Sequence, residues 1–305
     1  MDIERYSFFL QVVEDGNLTR AAQNMGYTQS GASHIIKSLE NELGVRLLTR
    51  GHFGIRLTAE AELMLPAIRS VVAADRKIHE IANSVAGLKC GTLRIAAFTS
   101  ICLAWLPRLV GSFHALYPDV KVKIISGNGT YGEMETFLRD GTVDISFVRT
   151  PLANRFQTLH LMEDPLYLVL PPTHPLAAQP EPITFAQLEG QPMLMPSDGN
   201  NEDILQLFAE HQYTPNIALT MRNDVTLLSL AENGIGFTIL PNLILKTMPH
   251  HAAVRRLEGN PARNICIATR PDEGHSPLVS AFIQVIRESL FAAPGPDGLS
   301  PAPLR

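Results

Sequence analysis

Residues 28–44 read TQSGASHIIKSLENELG. Ala32, Ile36, Leu39 and Leu43 recur at offsets of 4, 3 and 4, which puts them on one face of a helix. Gln29, Ser30, Ser33, His34, Lys37 and Asn41 fall on the opposite face. A solvated helix face usually carries a mixture of Glu, Lys and Arg. This one carries small donors and acceptors, one imidazole and one ammonium, and its acids Glu40 and Glu42 come only near the end. Thr28 stands where an N-cap is needed and Gly44 where a helix stops. The face suits water, and it equally suits a partner that presents hydrogen-bonding edges and phosphates.

The flanking sequence narrows that choice. Ile3, Tyr6, Leu10 and Val13 predict a helix over 2–14. Asn17 is a candidate N-cap for a second, short helix with Leu18, Ala21, Ala22 and Met25 inward, and Gly26 ends it. Two short helices joined by a tight Gly-containing turn, the second with a polar outer face, match a helix-turn-helix. Val45–Arg50 and Ile55–Thr58 flank the turn-rich GHFG, so a small hairpin or wing follows, with Arg46, Arg50 and Arg56 along it. From Ala59 to Leu88 the positions Met64, Ile68, Val71, Asp75, Ile78, Ala82 and Val85 alternate spacings of 4 and 3, like a heptad seam broken at Asp75. Pro66 should kink this helix or lie near its first turns. A single long helix cannot bury such a seam alone, so a partner helix is implied.

The chain has 305 residues, of which 45% are hydrophobic and 18% charged, enough for two or three globular domains. Its net charge of −5 would argue against nucleic acid if it were evenly spread. Residues 17–58 carry 5 basic and 2 acidic side chains, whereas residues 90–305 carry 15 and 20. A modest basic surface is therefore segregated into the N-terminal segment. The opening MDIERYSFFLQVVEDGN has no basic signal-peptide region, and no run approaches the ~18 apolar residues of a membrane span. Cys90, Cys102 and Cys266 lie far apart without CxxC spacing, which argues for free thiols in a reducing compartment. The expected location is cytoplasmic, with no membrane partner.

After Gly91 the pattern becomes α/β. Strand-like runs are TLRIAAF, VKVKIIS, VDISFVR, PLYLVLP, PMLMP, IALTM, GFTIL and ICIAT. Helical runs such as Leu106–Tyr117, Glu133–Asp140 and Val225–Asn233 lie between them. This alternation predicts mainly parallel sheets covered on both faces, and its length predicts two subdomains. The tail AAPGPDGLSPAPLR is rich in Pro and Gly and is expected to be disordered.

AAQNMGYTQSGASHIIKSLENELGVRLLTR followed by RLT resembles the N-terminal signature of the LysR-type transcriptional regulators. GTLRIAA, LPRLVGSFHALYPDV, DGTVDIS, THPLA and ENGIGFTILP follow in the family's order, so the resemblance covers roughly residues 3–291. It implies a winged helix-turn-helix, a dimerising linker helix, and an effector domain like the periplasmic type 2 solute-binding fold. That domain would hold an inducer cleft between its two subdomains, and the assembly would usually be a tetramer of this bacterial family. The implied boundaries are 1–58 for DNA binding, 59–89 for the linker, 90–163 with 266–291 and 164–265 for the effector subdomains, and 292–305 for the tail. Gly51 and Phe53 stand where the family often has basic residues, so the wing is less basic than usual.

The sequence also carries patterns of other chemistries. GNGTYG at 127–132 matches GxGxxG between a strand and a helix, the pattern of a dinucleotide turn. The acid expected about 20 residues later is missing from 149–153, where Arg149 might instead have met a 2′-phosphate; an NADP-linked enzyme is the alternative, and a solute-binding protein a second one. There is no GxSxG, HExxH or paired-Cys motif, so no catalytic residue, metal or cofactor is assigned. Cys102 follows Thr99-Ser100 at an expected helix N-terminus, where a thiolate would be favoured, but a buried inert thiol is the expected reading. The expected DNA contacts are Thr28, Gln29, Ser30, Ser33, His34, Lys37, Arg50 and Arg56. The expected effector contacts, at the C-terminal ends of strands, are Thr99, Ser100, Gly127, Asn128, Arg149, Ser197, Asn200 and Arg222. Hydroxyls at a helix N-terminus and a nearby arginine suit a small organic anion. The expected partners are operator DNA, the effector and a second copy of the chain; RNA polymerase is a further candidate.

Overall fold

The computed structural model describes residues 2–51, 54–85, 90–126, 130–150, 156–180, 182–197, 199–271 and 276–291. The expected effector residues Gly127 and Asn128 and the tail 292–305 lie outside these residues, as do the side chains of Arg50 and Val85. The chain divides into two compact units, Met1–Lys89 with Arg139–Thr142, and Cys90–Leu138 with Val143–Arg305. None of the described helices is long and apolar enough to cross a membrane.

The N-terminal unit contains α1 (Ile3–Asp15), α2 (Leu18–Asn24), α3 (Gln29–Leu43), the hairpin β1 (Leu48–Gly51) and β2 (Gly54–Leu57), and α4 (Ala59–Val85). Local chemistry sets each boundary. Asn17 accepts from the N–H groups of Thr19 and Arg20, Thr28 accepts from Gly31 N, and Gly44 takes φ +73° to end α3. Ala32, Ile36 and Leu39 are buried, as their spacing requires. In α1 the fully buried residues are Phe8, Phe9 and Val12, while Leu10 and Val13 are only partly buried. That helix packs on α2, α3 and α4, so its apolar face is wider than the single stripe read from the sequence. Met25, expected inward, caps α2 and is exposed.

Helix α4 runs for 27 residues with Pro66 inside it. Thr58 starts it, accepting from Ala61 N and donating to Arg46 O at 2.7 Å. Its seam divides into two parts. Met64 and Ile68 pack into the N-terminal core with Ala61, Leu65 and Val72. Leu63, Ile78 and Ile81 remain exposed, Ile78 at 66%.

The second unit holds β3 (Gly91–Ala96), α5 (Thr99–Ala104), α6 (Leu106–Leu116), β4 (Val120–Ile125), α7 (Tyr131–Arg139), β5 (Ile145–Arg149) and β6 (Gln157–Leu170). It continues with β7 (Pro192–Pro196), α8 (Glu202–Glu210), β8 (Asn216–Met221), α9 (Asp224–Glu232), β9 (Thr238–Pro241), α10 (Asn242–Thr247), β10 (Ala253–Arg256), β11 (Ala262–Thr269) and α11 (Pro277–Phe291). The seven-stranded sheet has the order β10-β6-β11-β5-β3-β4, with β9 also on β6. Only β3 with β4, β3 with β5, and the separate pair β7 and β8 are parallel; β6 and β11 are antiparallel to all their neighbours. The expectation of mainly parallel sheets is thus corrected to a mixed sheet.

The same two strands, β6 and β11, tie two subdomains together. The Gln157–Pro165 part of β6 pairs with β11, and Leu166–Leu170 pairs with β9 and β10. One core, including Leu93, Phe147 and Phe282, fills the first subdomain. In the second, Leu168 and Leu170 face one cluster and Val169 the other, the period-two alternation of a strand buried on both faces.

Gly236 marks a close approach in the second subdomain. A Cβ there would lie 2.5 Å from the carbonyl oxygen of Pro192, whose strand bonds to Phe237 on both sides. Gly236→Ala should therefore destabilise this unit by about 1–3 kcal/mol through overpacking against backbone. Gly234→Ala, where φ is +82° in open space, should cost about 1 kcal/mol. Denaturant unfolding of the two variants checks the ranking.

Candidate functional site

Two sites have the geometry of function. The first is the outer face of α3, where Thr28, Gln29, Ser30, Ser33, His34 and Lys37 are all exposed. Ser33 Oγ donates to Gln29 O at 3.1 Å, and the Thr28 and Ser30 hydroxyls lie 3.2 Å apart. The acids that would repel phosphate are engaged inside the unit. Glu40 accepts from Leu47 N and Leu48 N at 2.8 and 3.3 Å, clamping the wing to the helix, and Glu42 pairs with Arg5 at 3.4 Å. An open groove of about 650 Å³ runs between α3 and the wing, lined among others by Ser33, Lys37, Asn41, Arg46 and Thr49. Arg56 is exposed on β2, opposite Thr49, and Arg50 stands on β1 opposite Ile55.

The second site is the cleft between the two effector subdomains. At its floor Arg263, on β11, is 5% exposed and Asp164, on β6, is fully buried. Arg263 donates to Asp164 Oδ2 from Nε and Nη2 at 3.0 and 2.8 Å, to Ser100 Oγ at 2.7 Å and to Tyr131 OH at 2.8 Å. Its guanidinium also lies 5.1 Å from the Phe98 ring centroid. Burial works to lower its pKa, but Tyr131 and Asp164 hold it above the ordinary guanidinium value. Burial pushes the Tyr131 phenol up to about 12, so it stays a neutral hydroxyl. Asp164 Oδ1 in turn accepts from Leu243 N at 3.0 Å, at the start of α10.

Higher in the cleft the subdomains touch directly. Arg149 Nη1 donates to Asp203 Oδ1 at 2.7 Å, and Tyr131 N donates to Gly199 O at 3.0 Å. Between them a cavity of about 30 Å³, room for about one water, is lined by Phe98, Thr99, Tyr131, Asn200, Asp203, Asp224 and Arg263 among others.

Of the expected effector residues, Thr99 and Asn200 line this cavity together. Ser100 is behind it, buried and spent on Arg263. Arg149 is beside it, paired through Nη1 with Asp203 while its Nε is buried without a hydrogen-bond partner among the described residues, and Arg222 is exposed and not part of the lining. Ser197 keeps a buried hydroxyl oxygen without a partner. Of the two arginines expected to supply an anion's counter-charge, Arg149 is therefore paired with Asp203. Sequence reading missed Arg263, Asp164, Tyr131, Asp203 and Asp224; an arginine heading the apolar run ICIAT was the one available signal. Burial raises the Cys102 thiol, which donates to Ala97 O, so α5 does not create a thiolate there.

Removing the arginine would strand a buried carboxylate. Arg263→Met should lower the stability of the effector unit by about 3–5 kcal/mol, and the double variant with Asp164→Leu should recover part of that loss. Calorimetric and denaturant unfolding of the three proteins tests both statements.

The family model described as LysR substrate binding domain matches residues 86–291, and that described as Bacterial regulatory helix-turn-helix protein, lysR family, matches residues 3–62. The probable HTH-type transcriptional regulator LrrA of Synechococcus elongatus is 34% identical over 292 residues, covering 95% of this chain and 97% of its own. The uncharacterized HTH-type transcriptional regulator YvbU of Bacillus subtilis is 29% identical over 296 residues, covering 96% and 100%. Among solved structures, a full-length OxyR variant from Pseudomonas aeruginosa has a TM-score of 0.71 at 22% identity, covering 94% and 95%. Full-length CbnR complexed with its target DNA has a TM-score of 0.67 at 24% identity, covering 95% and 100%. The chain therefore belongs to the LysR family of DNA-binding transcriptional regulators, with an N-terminal helix-turn-helix and an effector-binding domain, and it is not an enzyme.

Proposed function

We propose that this regulator reads operator DNA with the N-terminal half of α3 and is switched by a small molecule bound in the cleft beside Arg263. The observation that carries the first half is the exposed set Gln29, Ser30, Ser33 and His34, uninterrupted by acids and followed by Lys37. In helix-turn-helix proteins the N-terminal residues of the second helix meet base edges in the major groove. Lys37, Arg50 and Arg56, with Thr28 at the helix cap, face phosphates. Residues 1–58 form the reading head, 59–89 the linker, 90–163 with 266–291 and 164–265 the effector subdomains. The protein works in the cytoplasm as a homodimer or tetramer, and RNA polymerase is the downstream partner.

Assembly follows from the part of α4 that its own unit does not cover. Leu63, Ile78 and Ile81 form an exposed apolar line on that helix, and a two-fold pair of such helices would present two reading heads to a pseudo-palindrome. Met64 and Ile68, expected in this seam, serve the N-terminal core instead.

Two experiments test the reading. Lys37→Ala should weaken binding to all duplexes and reduce the slope of log affinity against log salt by about one; an unchanged slope removes Lys37 from the phosphate contacts. Ile78→Asp should give a folded monomer in sedimentation with poor operator affinity, and an unchanged oligomer would remove Ile78 from the interface.

A further inference from the structure

The charges around the cleft do not balance. Arg149 and Arg263 stand among three carboxylates, Asp164, Asp203 and Asp224, and a fourth, Glu202, adjoins Asp203. Asp164 is matched by Arg263 and one oxygen of Asp203 by Arg149. Asp224, on the cavity wall, has no hydrogen-bond donor among the described residues. Glu202 Oε2, beside Asp203 at the start of α8, is buried without a partner. The N-terminus of α9 and the charge of Arg263 favour the Asp224 carboxylate only in part, because burial still pushes its pKa up. Asp203 is pushed up by burial as well, against the pull of Arg149 and Arg263. Asp203, Glu202 and Asp224 are part-buried, and a negative excess held partly away from water is unfavourable unless something positive joins it.

Resting on the reading of this cleft as the effector site, we propose that the effector carries a positively charged amine head, received by Asp224 and Asp203 in the cavity bounded by Phe98, Thr99, Tyr131 and Asn200. The size fits. A space of about 30 Å³ takes one water or an ammonium group and no more, so the head enters the cavity and the remainder of the molecule opens the cleft above it. The polarity fits too. The Thr99 hydroxyl, which has no hydrogen bond of its own among the described residues, and the Asn200 side chain border the same space. Seating the cation replaces the proton that burial favours on Asp224. Binding therefore releases protons and strengthens as pH rises through the raised Asp224 pKa, while the amine stays protonated. The charged or titratable neighbours on the surrounding elements are Arg263, Tyr131, Arg149, Asp203, Glu202 and Asp164. Among them Arg263 acts on Asp224, by lowering its pKa.

The test uses the full chain with propylamine, butylamine and hexylamine against propionate, butyrate and hexanoate as probes, in calorimetry at two pH values and in buffers of different ionisation enthalpy. The expected result is binding of amines with proton release at the lower pH, weakened at least ~30-fold in Asp224→Asn and abolished by Thr99→Trp. Asp224→Asn keeps the side-chain shape and removes a part-buried charge without a hydrogen-bond donor, so it should melt at or above the wild type at pH 8. Carboxylate binding that survives Asp224→Asn but not Thr99→Trp overturns the cationic head while leaving the cleft as effector site. Amine binding that survives both variants overturns the cleft as well. No amine response at either pH overturns the proposal.

Discussion

The buried pair Arg263–Asp164 is the constraint around which the effector unit is arranged. Neither charge is stable in that interior alone. Each is held by the two strands that serve both subdomains, β11 and β6. Through its remaining donors Arg263 fixes Ser100 on α5 and Tyr131 on α7, while Asp164 receives the first N–H of α10 that faces it. Three helices are thus registered to the crossing strands by one polar cluster. Apolar packing fills the space on either side but is not directional. The hydrogen bonds are directional, so they determine how the two subdomains meet.

The reading head obeys a different economy. Its helices are short, and their ends are specified by residues next to them: Asn17, Thr28, Gly44 and Thr58. Long-range ties are few but well placed. Glu40 joins α3 to the wing, and the Gly16 carbonyl accepts from Ile55 N, a contact that leaves little room beside Gly54. The two acids of α3, Glu40 and Glu42, are each already bonded to groups of the same unit.

This difference explains what could be read from the sequence. Caps, turns and helical spacing are local, so α2, α3, the wing and their boundaries were legible from residues a few positions apart. Most strands of the effector unit were legible as apolar runs. The first half of β6, QTLHLMED, was not, because its polar residues are paired by β11 rather than by any local preference. Strand β10, AVRR, was missed for the same reason. Ser100 was expected to contact the effector, and its role as a support for Arg263 depends on a residue 163 positions away. Arg149 looked like a free cation because nothing near it in sequence announces Asp203.

The Ser33 hydroxyl has one proton, and it points back at the Gln29 carbonyl one helical turn earlier. What the side chain offers outward is therefore a lone pair. In a major groove such an oxygen is matched by the amino groups of adenine N6 and cytosine N4, and mismatched by the oxo groups of guanine O6 and thymine O4. A serine is usually indifferent to base identity because its hydroxyl can turn to give or to take. If α3 enters the groove as proposed, Ser33, anchored in this way by the helix backbone, would accept rather than donate, a preference set by the turn beneath it.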